Sequence, residues 1–256
     1  HSIPFFGAGS CTSSANAPLH IDNYLLVGFG WPAIGCHPST SFSPGTNPLI
    51  KKHVLDSVRC LLDKYPTSKI IPIFHANYEF ELYPQPLQRD LSMNLIDLGC
   101  FAVVGHHPHI PSHIEFYHGA PIVYSLGNFA FSYGKFFNNQ LAFPSQSFNQ
   151  IALELSTDNI LIHSLRFEPP NKVMYLHSES LFSSPLYTDC PYKDMSSSEY
   201  SAFFSNHRLK SVFLPIFKSS DSRFLEYLKI LYVILRHFLI TILIFMRFRT
   251  LQRRAD

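Results

Sequence analysis

Gly105-His106-His107-Pro108-His109 is the densest run of chemistry in this 256-residue chain. Imidazoles at i and i+2, with a glycine before them and a proline between, can converge on one point. Imidazole nitrogen suits zinc, iron and manganese. His75 closes a separate apolar run, Lys69–Phe74, and can bring a third nitrogen from a neighbouring loop. Glu79, four residues further on, can orient a histidine or exchange a proton. A second reading of the same residues stays open, because an exposed polar turn can also be rich in histidine.

The elements around these residues must position them. Residues 3–9 read as a short strand running into a glycine turn, and Tyr24–Gly28 as another strand. Trp31–Asn47, rich in Pro, Ser and Gly, reads as a loop. A helix is expected from Asn47, with Pro48 at its first position, Ile50, Val54, Val58, Leu61 and Leu62 on one face, and Pro66 ending it. Strand Lys69–Phe74 then ends on His75. A second helix runs from about Pro86 to Leu98, closed by Gly99, and strand Phe101–Val104 follows. This strand–helix–strand rhythm makes a parallel or mixed sheet. In such sheets functional loops sit past the carboxyl ends of strands, which is where His75 and His106–His109 fall. Beyond Pro111 the pattern is β-rich, with hairpins over Ile114–Ser125 and over Ile151–Phe167, the latter turning at Thr157-Asp158-Asn159.

Composition sets the outer bounds. Hydrophobic residues make up 46% of the chain and charged residues 15%, enough to bury a core. A net charge of +2 gives no argument for a nucleic-acid partner. Five scattered cysteines without a CxxC pair exclude a zinc ribbon and read as ordinary thiols. The first residues, His1 to Ser14, lack the basic and apolar regions of a signal peptide, so the start reads as internal to a longer protein. Residues 178–222, Ser-rich in their first part, read as a loop or linker. Residues 223–250 read as a hydrophobic helix and candidate membrane anchor. Its apolar core, Ile230–Met246, is interrupted by Arg236, His237 and Thr241 and is 17 residues long. A spanning helix needs about 20, so an interfacial or core helix is an equal alternative. Arg247, Arg249, Arg253 and Arg254 would mark its cytoplasmic side.

His75-Ala76-Asn77-Tyr78-Glu79-Phe80, Pro84 and Gln88, Leu95-Ile96-Asp97-Leu98-Gly99, Val103–His109 and Tyr124-Ser125-Leu126-Gly127-Asn128-Phe129-Ala130-Phe131 follow one another in an order and spacing that resembles the CapA (poly-gamma-glutamate capsule synthesis) family. The resemblance implies an α/β fold, a four-layer α/β/β/α sandwich of the metallophosphoesterase type, with residues 1–177 as its C-terminal part. It further implies that His75 and His107 hold one divalent metal and His109 another (Zn, Mn or Fe), with His106 a neighbour rather than a ligand. Glu79 and Asn128 are the candidate catalytic residues beside them. Ser125 and Phe129 read as packing residues. The implied partner is an anionic surface polymer or its precursor, and the implied location the membrane or cell surface.

The departures from the pattern are specific. Asn77 stands where the family has Gly, and Phe80 where it has Tyr. There is no Gly-Asp dipeptide and no Asn-Asn-His, the family's early carboxylate and amide ligands. The expectation is therefore an incomplete sandwich lacking its N-terminal part, with metal weakly bound or absent. The functions implied are a metal-dependent hydrolase of an anionic polymer or ester, a non-catalytic subunit of a capsule machine, or an inactive gene fragment.

Overall fold

The structure is a computed structural model describing residues 3–129, 134–136, 139–141, 144–156, 159–168, 172–209 and 213–252. In chain order the elements are β1 (Ala8–Gly9), α1 (Thr12–Ala15), β2 (Leu19–Ile21), β3 (Tyr24–Gly30), β4 (Gly45–Thr46), α2 (Lys51–Lys64), β5 (Lys69–His75), α3 (Pro86–Asp97), β6 (Val103–His106), β7 (Ile114–Tyr117) and β8 (Ala120–Val123). They continue with β9 (Gly134–Phe136), β10 (Asn139–Leu141), β11 (Asn149–Leu155), β12 (Ile160–Glu168), β13 (Lys172–Ser180), α4 (Pro185–Thr188), α5 (Ser197–His207) and α6 (Arg223–Gln252).

A six-stranded sheet of order β2-β3-β5-β6-β8-β7 forms the frame. Its four inner strands are parallel, and β2 and β7 close the edges antiparallel. The alternation of each strand assigns its faces. Leu25, Val27 and Phe29 of β3, Ile70 and Phe74 of β5, Val103 of β6 and Ile122 of β8 face one core. The apolar stripes of α2 (Val54, Val58, Leu61) and α3 (Leu87, Leu91, Leu95) complete that core. Each such side chain, buried, contributes about 1.5–3 kcal/mol. On the other face Ile71, Val104 and Val123 meet Ile151, Leu153 and Leu155 of β11 and Ile162 of β12. The antiparallel sheet β11-β12-β13 therefore packs behind the frame, giving helices, sheet and sheet in three layers.

Several boundaries differ from expectation. Helix α2 begins at Lys51, because Pro48 is taken by a bridge to Gly30 instead of opening the helix. The strand expected over residues 3–9 is reduced to Ala8–Gly9, paired with β4. Residues 178–222 are not a simple loop: they hold α4, α5 and a buried cluster of Cys190, Tyr192, Tyr200 and Phe204. Arg89 of α3 anchors that cluster. Its guanidinium donates to both carboxylate oxygens of Glu115 and to the carbonyls of Tyr192 and Met195. It also lies 4.6 Å from the Tyr200 ring.

The C-terminal stretch is a helix, but among the described residues no helix is long and apolar enough to cross a membrane. Instead α6 packs on the Pro32–Ile34 turn, sinking Ile230 and Val233 into the main core. Lys229 ties it down by donating to the Ile216 carbonyl at 2.8 Å, and the Tyr232 hydroxyl donates to the Phe213 carbonyl at 3.0 Å. Further along the helix Phe238, Leu239, Ile242, Leu243, Phe245 and Met246 are exposed. Ala130 and Phe131, the residues Thr157 and Asp158 of the expected turn, and Arg253 and Arg254 lie outside the described residues.

Candidate functional site at the strand ends

Parallel pairing of β5 with β6 sets His75 directly beside His106. Their Nδ1 atoms are 2.8 Å apart, so one ring donates to the other. The chain then turns out of β6 through His107, with φ +110°, and His109, with φ +63°. Positive φ in residues other than glycine is strained and recurs at functional sites. The turn brings the His107 ring to 4.7 Å from His75 and to 5.4 Å from His109. His109 Nδ1 sits 2.6 Å from the Asn128 side-chain oxygen, which fixes the ring from the loop after β8. Three strand-end loops thus converge. Gly105 allows the approach, since a Cβ there would run into the Tyr124 carbonyl.

Two hydrogen bonds lock the β5 and β6 loops together: the Ala76 N–H donates to the His106 carbonyl at 3.0 Å, and the Phe80 N–H to the Pro108 carbonyl at 2.8 Å. Burial and the neighbouring imidazoles hold His75 down to about 4 and His107 to about 3, with His106 lowered for the same reasons. These rings are neutral at physiological pH and keep their lone pairs free.

Asn77 explains one departure in the sequence. Its φ of +77° is a left-handed conformation that glycine adopts freely and asparagine tolerates. Its buried amide donates to the Tyr83 carbonyl at 2.9 Å and accepts from Gln85 at 3.2 Å. Asn77→Ala should therefore cost about 2–3 kcal/mol, from backbone strain plus unpaired buried groups. Asn77→Gly should cost less, since only the hydrogen bonds go. Urea denaturation of both variants checks this, and an equal loss would mean that backbone conformation is not the reason.

Glu79 is exposed and lines a cleft of about 550 Å³ together with His107, Tyr78, Gly35, Arg236 and His237. No hydrogen bond joins it to His75, His106 or His107. His75, His109 and Asn128 do not line that cleft. The sequence set His106 aside, whereas the fold gives it the closest contact to His75. Only the in-register alignment of two strands shows this, because 31 residues separate them.

The donor chemistry of the site fits a divalent metal: neutral imidazoles crowd together at strand ends. Among the described residues no group of three His, Cys, Asp or Glu can close on a single ion. A division of His75 and His107 from His109 does not require one.

Residues 34–133 match the model of the family described as bacterial capsule synthesis protein PGA_cap. That stretch contains the β5, β6 and β8 loops that build the site. Over this part the chain is similar to the CapA capsule-synthesis family. It is 45% identical over 60 residues to the PGA biosynthesis protein CapA of Bacillus subtilis (strain 168), covering 23% of this chain and 16% of that protein. It is 40% identical over 60 residues to the capsule biosynthesis protein CapA of Bacillus anthracis, covering 23% and 15%. Each match therefore spans about a sixth of that CapA protein's length.

Proposed function

We propose that this chain acts in capsule or surface-polymer biosynthesis, with the strand-end loops serving as a metal-assisted hydrolytic site for an anionic polymer or ester. The observation that carries the reading is the convergence of His75, His107 and His109, with Asn128 fixing His109, inside the segment that matches the capsule-synthesis family model. His75 and His107 would hold one divalent metal and His109 a second. A bound zinc, manganese or iron would supply Lewis-acid polarisation and an activated water. His106 keeps the His75 ring oriented through their shared proton, and Asn128 does the same for His109. Glu79, exposed on the cleft wall, would exchange protons with solvent or a leaving group. The helix–sheet–sheet stack reads as part of a four-layer metallophosphoesterase-type sandwich.

A non-catalytic reading, in which the cleft grips the polymer for assembly or transport, also has an observation behind it. No carboxylate hydrogen-bonds to His75, His106 or His107 among the described residues, so a metal's charge would be left without a close counter-charge. The location we infer is the membrane or cell surface, with the exposed apolar end of α6 lying on a lipid surface instead of crossing it.

Chain length of a polyglutamate sample, followed by size-exclusion chromatography after incubation with the protein and added manganese or zinc, separates the two readings. Hydrolysis predicts shortening that stops with a chelator and falls at least 100-fold in His109→Ala, the scale of losing a group that stabilises the transition state. Unchanged polymer under every metal would reject hydrolysis of this polymer and leave the gripping role.

A further inference from the structure

Arg236 and His237, which interrupt the apolar run of α6, stand over the strand ends in the folded chain. The helix forms one wall of the 550 Å³ cleft through Val233, Arg236, His237 and Thr241, facing Glu79 and His107 across it. Arg236 is half-buried, and no hydrogen bond or ion pair engages it among the described residues. Lys229, one stretch earlier on the same helix, differs in this respect. It is occupied by Asp221 and the Ile216 carbonyl. Glu79 lines the same cleft yet forms no ion pair with Arg236, so the guanidinium is not committed to it.

A guanidinium drawn partly out of water without a counter-charge is costly until an anion meets it. Its planar fork matches a carboxylate or phosphate by two parallel hydrogen bonds. Most of the remaining wall is apolar, from Pro32, Ala33, Ile34 and Leu214, which strengthens a charge pair formed there. We propose that Arg236 is the anion-recognition residue of this cleft, taking a carboxylate or phosphate of the substrate beside His107. The proposal rests on reading the cleft as the substrate site. It also gives the C-terminal helix a role at that site, although Arg236 lies outside the family-matched residues 34–133.

Calorimetric titration of the full chain tests it, with a short glutamic-acid oligomer, the matching glutamine oligomer and inorganic phosphate as probes. Binding of at least one anionic probe should weaken roughly tenfold or more in Arg236→Gln and recover in part in Arg236→Lys. The glutamine oligomer should bind no differently to either variant. A response confined to the glutamic-acid oligomer assigns a carboxylate, and one confined to phosphate assigns a phosphoryl group. Anion binding that is unchanged in Arg236→Gln overturns the proposal. If His107→Ala then still weakens it, the cleft remains the substrate site and only the role of Arg236 falls. If neither variant matters, or no anion binds the native chain, the reading of the cleft falls as well. Thermal melts of Arg236→Gln that overlay those of the native chain keep a folding defect from imitating the effect.

Discussion

Glu115→Ala should lower the stability of the chain by about 3–5 kcal/mol, the cost of leaving one member of a buried ion pair alone. The Arg89 and Glu115 side chains are 0% and 2% exposed and meet at 2.7 Å. The Tyr124 hydroxyl adds a donation to the same carboxylate at 2.6 Å. Without that carboxylate Arg89 keeps the Tyr192 and Met195 carbonyls and the faces of Tyr192 and Tyr200. Its Nη1 already lacks a partner. Burial pushes the Glu115 carboxyl up in spite of Arg89, so the pair gains little over its desolvation cost. An apolar pair of similar volume, Arg89→Met with Glu115→Leu, should accordingly recover most of the loss. Urea midpoints of the two single variants and the double variant decide the matter. A double variant as unstable as the singles would show that the pair is a net source of stability, contrary to this account. The position bears on the candidate site, because Glu115 holds the Tyr124 hydroxyl just ahead of the loop that carries Asn128.

Much of the site's frame could be read from the sequence. Ile70–Phe74 is a continuous apolar run, and a strand buried on both faces needs no more signal than that. Pro86–Asp97 has both a proline start and the stripe Leu87, Leu91, Leu95, so helix α3 was legible nearly to the residue. What escaped depends on contacts distant in sequence. The Ser-rich look of residues 178–202 hides Tyr192 and Tyr200, whose burial is set by Arg89 more than 100 residues earlier. The contact between His106 and His75 exists only because β5 and β6 pair in register. Strand β13 was missed because much of it is exposed, which leaves no apolar alternation to see. The stretch Ile230–Met246 is apolar, and composition alone does not say which part of it packs on the protein. The fold sinks Ile230 and Val233 into the core and leaves Arg236 on the cleft.

Loss of His107 and His109 together should remove metal binding altogether, the largest functional effect expected of any substitution here. Burial and mutual repulsion keep His75 and His107 uncharged, so their nitrogens meet a cation with little competition from protons above about pH 5. The two resemblance-implied ions would each lose a ligand in the double variant: His107 beside His75 for one, His109 for the other. Asn128 would lose the ring it orients. The contribution of such outer partners is typically tenfold to 100-fold in metal affinity, and loss of the ligands themselves exceeds it.

Equilibrium dialysis of the purified chain against zinc or manganese, with bound metal read by elemental analysis beside His107→Ala/His109→Ala, tests whether these histidines hold metal. Saturable uptake by the native chain and none above background in the double variant is expected. Equal uptake by both proteins, or none by either, would contradict it.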